Sequence, residues 1–160
     1  MSHLPYYTWI TDNVAIGELN AIYDPFDIVI NVAYINSSFN KGLNHHEMRE
    51  TVKNGKCIYE FGLYDSDSDI EYFRDVVGIM FTMFDKLMIK NDDNDDKDDK
   101  KILFHCQSGK SRSVSLALAY ICKTNRMTID NGLSLIKEKR PISNHRPAFV
   151  TIVSNIIHNL

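Results

Sequence analysis

Cys106 and Arg112 stand with five residues between them, in the stretch "ILFHCQSGKSRSV" that covers positions 102–114. Strand formers (Ile102, Leu103, Phe104) precede the cysteine, small residues (Ser108, Gly109) follow it, and a helical pattern opens at about Ser113. Residue types in this order can build an anion site. If the backbone N–H groups of 106–112 curl onto one point, they add to the positive end of the following helix. The planar guanidinium of Arg112 supplies a fork for two phosphate oxygens. Such a field favours a thiolate at Cys106, and a thiolate at the base of a phosphate cradle can attack phosphorus and form a phosphocysteine. The loop amides and Arg112 would then stabilise charge on the equatorial oxygens, with no metal and no other cofactor. Ser113 is placed to donate a hydrogen bond to the departing sulfur, and His105 to point away from the phosphate and brace the loop. Gln107, Ser108, Gly109, Lys110, Ser111 and Arg112 are the predicted substrate-binding residues.

A second chemistry overlaps the same letters. Gly109-Lys110-Ser111 could end a nucleotide-binding P-loop, but that loop needs G-x-x-x-x-G-K-[ST]. Its first glycine would fall at position 104, where this chain has Phe104. Without that glycine the loop cannot wrap a triphosphate, and the ATPase or GTPase reading fails.

The elements that must hold this loop are read from periodicity. Thr8–Ile10 and Val14–Ile16 flank the turn Thr11-Asp12-Asn13 as a hairpin, and a short helical piece is expected over Glu18–Ile22. Asp27–Ala33 ("DIVINVA") and Cys57–Leu63 ("CIYEFGL") read as internal strands. Residues 34–56 look mostly irregular, with a helical turn near Glu47. Ser68 stands three before Glu71 in the capping-box pattern, and the apolar series from Ile70 to Met88 predicts a helix over Asp69–Ile89. A strand over 102–105, a buried helix over Ser113–Lys123, and helices over Ile129–Glu138 and Ala148–Asn159 complete the chain. Strands interleaved with helices imply an α/β layer structure: one domain over residues 1–160, with a central twisted mixed sheet flanked by helices and ligand chemistry at strand C-terminal ends.

Composition sets the boundaries. The chain has 160 residues with a net charge of −3, and positions 90–101 hold six Asp and four Lys, so the remainder is close to neutral. A broad nucleic-acid surface is therefore not expected. Lys110, Arg112, Lys137, Lys139, Arg140 and Arg146 could make a small positive patch. The acidic run reads as a solvated loop insertion. Asp92, Asn94 and Asp96 imitate the start of a calcium loop, but Lys97 stands where that loop needs glycine and Leu103 where it needs glutamate. Three cysteines (Cys57, Cys106, Cys122) are too few and too irregular for a disulfide framework. The opening MSHLPYYTWI lacks the pattern of a secretory signal and no apolar run suits a membrane span, so a cytosolic or nuclear protein is expected. The sequence does not define an oligomeric state.

"HCQSGKSRS" matches H-C-x(5)-R-[ST], and the chain thereby resembles the protein tyrosine phosphatase superfamily. The continuation "LALAYICKTNRMTIDNGLSLIKEKRP" and the opening "ITDNVAIGELNAI" and "IVINVA" are similar to its dual-specificity branch in particular. The resemblance implies hydrolysis of phosphotyrosine and phosphoserine or phosphothreonine in protein partners. Phosphoinositides and RNA 5′-phosphates are the substrates of the nearest alternative, and a phosphate-binding pseudophosphatase is a remoter one. It also implies a general-acid aspartate on the loop before the long helix. "LYDSDSDI" offers Asp65, Asp67 and Asp69; the end of the strand aligns Asp65 with the family position, Asp67 is the second choice, and Asp69 suits the helix dipole structurally. Members directed at phosphoinositides often carry two lysines in the loop, of which this chain has only Lys110, with Gln107 in the other place. The chain departs from the family where Pro-Asn is common after "RP": here stand His145-Arg146, read as local structure or surface rather than substrate contacts. Cys57 and Cys122 are read as core residues.

Overall fold

The structure is a computed structural model that describes residues 6–33, 45–89 and 100–160. Six strands form one sheet: β1 (Tyr7–Trp9), β2 (Val14–Gly17), β3 (Ile28–Asn31), β4 (Met48–Lys53), β5 (Lys56–Phe61) and β6 (Ile102–His105). Their spatial order is β1-β2-β6-β3-β5-β4. The four inner strands run parallel, and β1 and β4 close the two edges antiparallel. β2, β3 and β6 are buried at every position, as parallel strands covered on both faces must be.

Alternation along these strands sorts their side chains into two layers. Val14, Ile16, Ile28, Ile30, Ile102 and Phe104 face the main core, and Ala15, Val29 and Leu103 face a smaller one with Ala21 and Phe26. The main core is completed by four helices: α1 (Ile70–Ile89), α2 (Arg112–Asn125), α3 (Ile129–Lys139) and α4 (Pro147–His158). Phe73, Val76, Val77, Met80, Phe81 and Phe84 give α1 its buried stripe, and the Phe73 and Phe149 rings stack at 4.3 Å to join α1 to α4. α2 is buried without interruption from Arg112 to Cys122, so its position is set on all sides. Each fully buried Ile, Leu or Phe contributes about 1.5–3 kcal/mol, which anchors both the strand before the 106–111 loop and the helix after it.

Most expected elements are present within a residue or two of their predicted bounds. Three expectations are corrected. Residues 48–53 form β4 rather than irregular chain. As an edge strand it buries little and shows no apolar pattern, but Asn54 (φ +54°) and Gly55 (φ +77°) form the two-residue turn that folds it onto β5. Glu18–Ile22 is a turn closed by Ala21 N–H on the Glu18 carbonyl at 3.1 Å, not a helix. Ser68 is not a capping residue. A 3₁₀ turn, Asp67–Asp69, precedes α1, and its cap is Ser66, whose Oγ accepts the Ser68 N–H at 3.1 Å. Asp92, Asn94 and Asp96, with most of the acidic run, lie outside the described residues.

Candidate active site

The loop from Cys106 to Ser111 leaves the end of β6 and enters α2, with its carbonyls held on the outside. Four in succession, from Gln107 to Lys110, accept hydrogen bonds from segments outside the loop, and Ser111 O accepts the first bond of α2. Leu19 N–H donates to Gln107 O (3.2 Å), Arg140 Nη2 to Ser108 O (3.3 Å) and Arg140 Nε to Gly109 O (2.8 Å). Asn144 N–H donates to Lys110 O (2.7 Å) and Ser115 N–H to Ser111 O (3.0 Å). A peptide whose oxygen is held outward turns its N–H inward, so this arrangement aims the loop amides at a common centre. Gly109 has φ of +68°, and a Cβ there would lie 2.7 Å from the Gly17 carbonyl and 2.5 Å from Arg140, so both conformation and space require glycine.

Cys106 is buried at the base of this loop. Its Sγ lies 3.1 Å from Ser113 Oγ and accepts the Gly109 N–H at 3.3 Å. Ser111 is the N-cap of α2 but makes no side-chain cap, so the helix presents its N-terminal amides toward the loop. The Ser111 hydroxyl donates instead to Asp65 Oδ1 at 2.9 Å. Arg112 is buried, and its Nη1 donates to the carbonyls of Leu63 (2.9 Å) and Val32 (3.3 Å) at the ends of neighbouring strands. Those bonds fix the plane of the guanidinium fork. His105, buried on the other side of the chain, bonds through Nε2 to the Tyr23 hydroxyl at 2.7 Å. Burial pushes its imidazole down to about 4, so the ring is neutral at physiological pH.

The family model for the dual specificity phosphatase catalytic domain matches residues 21–156. The chain belongs to that family. Dual specificity protein phosphatase 1 of Arabidopsis thaliana is 41% identical over 49 residues, which are 31% of this chain and 25% of that protein. A probable dual specificity protein phosphatase of Dictyostelium discoideum is 27% identical over 130 residues, 81% of this chain and 54% of that one. The matches therefore span between a quarter and about half of these relatives. Among solved structures, a mouse phosphatase of this type complexed with zinc tungstate superposes with a TM-score of 0.70 at 14% identity, over all of this chain and 91% of that one. PTPMT1 in complex with PI(5)P superposes with a TM-score of 0.62 at 15% identity, over 96% of each chain. At these identities the superpositions speak for the fold.

In this phosphatase domain, the predicted residues Cys106, Ser111, Arg112, Ser113 and Asp65 come together through direct bonds or adjacency in the loop. Gln107, Ser108 and Lys110 are exposed at the rim. Asp67 and Asp65 are bridged by one residue that the sequence reading set aside. Arg146 donates from Nε to Asp65 Oδ1 (2.9 Å), from Nη2 to the Asp65 carbonyl (2.7 Å) and from Nη1 to Asp67 Oδ1 (3.0 Å). Arg146 is thus a local contact of both candidate acids. Arg140, expected on a surface patch, is buried and holds two loop carbonyls together with Thr8 Oγ1 (2.8 Å). A single arginine directly before proline carries no periodic signal, so nothing in the letters separates it from a solvated charge. Asp69 is buried under His45 and His46 rather than serving the helix dipole at the surface. Cys122 is buried in α2 and Cys57 is partly covered in β5, in line with packing roles. No helix among the described residues is long and apolar enough to cross a membrane.

Proposed function

We propose that residues 1–160 form one catalytic domain that hydrolyses phosphotyrosine and phosphoserine or phosphothreonine in proteins through a phosphocysteine intermediate. The observation that carries this reading is that Leu19, Arg140 and Asn144 hold the carbonyls of Gln107 to Lys110, in the loop whose Gly109 N–H bonds the Cys106 sulfur. That arrangement suits a tetrahedral oxyanion directly above Sγ. The tungstate reported with the similar mouse phosphatase is an oxyanion of the same shape.

In the first step the Cys106 thiolate attacks phosphorus in line, the P–O bond to the substrate breaks, and protonated Asp65 gives its proton to the leaving oxygen. Arg112 and the loop amides stabilise the charge spread over the three equatorial oxygens. In the second step water attacks the phosphocysteine and gives a proton to the Asp65 carboxylate. The S–P bond breaks, and the sulfur leaves as a thiolate stabilised by the Ser113 hydroxyl and the Gly109 N–H. Ser113 lies on sulfur at 3.1 Å, the distance this role needs. A thiolate nucleophile works only while reduced, so the reading implies a cytosolic or nuclear setting.

A protein substrate is favoured by the loop itself. Gln107 leaves the rim with one lysine, Lys110, in place of the pair often held by members directed at phosphoinositides. The relatives include a MAP kinase phosphatase with leucine-rich repeats from Dictyostelium discoideum. Against this stands the fold likeness to PTPMT1, solved with a phosphoinositide. The test compares kcat/KM for phosphotyrosine and phosphothreonine peptides with that for soluble phosphatidylinositol 3,4,5-trisphosphate and a 5′-triphosphate RNA. The peptides should be the better substrates, and Lys110→Ala should weaken all of the anions modestly and alike. A lipid preference that collapses selectively in Lys110→Ala would overturn the protein assignment. Cys106→Ser should lose turnover of every substrate yet still be stabilised against heat by tungstate; substantial residual hydrolysis would remove Cys106 from the mechanism.

A further inference from the structure

His45, His46 and Asp69 bring three metal-type donor atoms within 4.8 Å of one another. His45 Nε2 lies 3.0 and 3.1 Å from the two Asp69 oxygens, and His46 Nε2 lies 2.8 Å from Oδ1. The imidazoles are one-third to one-half exposed and the carboxylate is 1% exposed, so the cluster is a buried anion roofed by two rings that solvent can reach.

Three observations set this cluster apart from an incidental pair of histidines. Successive residues of an extended chain point to opposite sides, yet these two rings converge on one carboxylate. The backbone makes this possible at His46, whose φ of +66° is left-handed and uncommon for any residue but glycine. The rings are also held from behind. The Tyr64 ring stacks on His45 at 3.9 Å and the Tyr72 ring on His46 at 4.4 Å, while Tyr72 Oη donates to the Glu47 carbonyl at 3.1 Å. The carboxylate, finally, is oriented by the Tyr64 N–H on Oδ2, and the segment is pinned to the residue just past β5 by His46 N–H on Gly62 O and Gly62 N–H on Glu47 O, both at 2.9 Å. Donor atoms fixed by stacked rings and backbone bonds are what a metal centre needs around its ligands.

We propose that His45 Nε2, His46 Nε2 and the Asp69 carboxylate bind a divalent cation of the zinc class, with water at the remaining position. Two imidazoles and one carboxylate form the nitrogen-rich, borderline-soft set that suits zinc over magnesium or calcium. A tetrahedral zinc with bonds of about 2.0–2.1 Å sets its ligand atoms roughly 3.3 Å apart. The two nitrogens stand 2.8–3.1 Å from the carboxylate oxygens, and all three donors lie within 4.8 Å of one another. The centres of the rings are 3.7 Å apart, and one cation between them would satisfy both nitrogens and the buried carboxylate. Asp69 stands four residues after Asp65, so the bound cation would staple the 45–47 segment to the turn that carries the candidate general acid.

Metal-free, untagged Cys106→Ser protein, in which the active-site thiol cannot capture zinc, would be titrated with zinc by calorimetry and with cobalt(II) by absorption. We expect one zinc per chain, a zinc-dependent rise in melting temperature, and the intense visible bands of tetrahedral cobalt(II). His45→Gln and His46→Asn, in which asparagine tolerates the left-handed backbone, should each weaken zinc binding by at least about tenfold and abolish the bands. Circular dichroism establishes that each variant is folded, and His45→Gln alone decides the matter if His46→Asn is not. Absence of zinc binding in the parent, or binding unchanged in folded His45→Gln, would overturn the site. Because the readout is binding and not turnover, it stands apart from the phosphatase assignment.

Discussion

Arg146 donates to the same Asp65 oxygen that accepts the Ser111 hydroxyl, each at 2.9 Å. Asp65 is thereby suspended between the loop around Cys106 and the segment entering α4. An exposed ion pair adds little stability by itself, but this one sets where a carboxyl group stands relative to the sulfur. We expect Arg146→Ala to lower kcat by about 10–100-fold, as misplacement of a reacting group does, with a smaller effect on stability. A leaving-group series of aryl phosphates measures it. The loss should grow as the leaving oxygen becomes more basic, and Arg146→Lys should recover only part of the activity because it cannot bridge Asp65 and Asp67 with a fork.

Asp65→Ala should lower kcat by about 10²–10⁴, the usual contribution of a general acid. Asp67 is more exposed, at 71% against 37%, and meets Arg146 only through Nη1. Its removal should therefore act through Arg146 and cost far less. If Asp67→Ala shows the steep leaving-group dependence and Asp65→Ala does not, the acid moves two residues along the chain.

Arg140→Lys tests how the loop is held open. The guanidinium bonds Ser108 O, Gly109 O and Thr8 Oγ1 at once, which an ammonium cannot reproduce. Each carbonyl left without its partner costs about 1–3 kcal/mol. Urea unfolding should register that loss, and tungstate affinity should fall in parallel because the amides are no longer aimed inward. Unchanged tungstate binding in a destabilised variant would limit Arg140 to a packing role.

His105 makes stability depend on pH in a stated direction. Burial holds its imidazole at about 4 in the folded protein, against about 6.5 in an unfolded chain. Between those values the unfolded state takes up a proton that the native state refuses, so acidification favours unfolding. The contribution is intact above about 6.5 and declines by about 3 kcal/mol as pH falls to about 4. Urea midpoints of the parent and of His105→Asn across this range should differ in slope, with the variant the flatter. Parallel slopes would mean that other groups carry the acid sensitivity.

Much of the fold could be read from local pattern because its governing signals are local. β2, β3 and β6 are short apolar runs, and α1 carries its helical stripe in plain spacing. β4 hid because an edge strand needs no apolar face; its one clear mark was Asn54-Gly55, whose side-chain demands suit a hairpin turn. Cys106, Arg112 and Ser113 were legible for a related reason. A loop between a strand and a helix must place nucleophile, fork and hydroxyl within a few residues of each other, and that spacing survives in one dimension.

The tertiary structure decided everything that depends on which segments meet. Arg140 and Arg146 are a buried brace and an ion-pair partner only because α3 and the start of α4 return to the loop around Cys106. Asp69 differs from Asp65 and Asp67 only because His45 and His46 fold over it. Charge and residue type belong to the sequence, but burial and partner are properties of distance in space. Residues 102–114 could therefore announce phosphate chemistry unaided, while Arg140 and Asp65, which bond Gly109 and Ser111, come from 31 and 46 positions away along the chain.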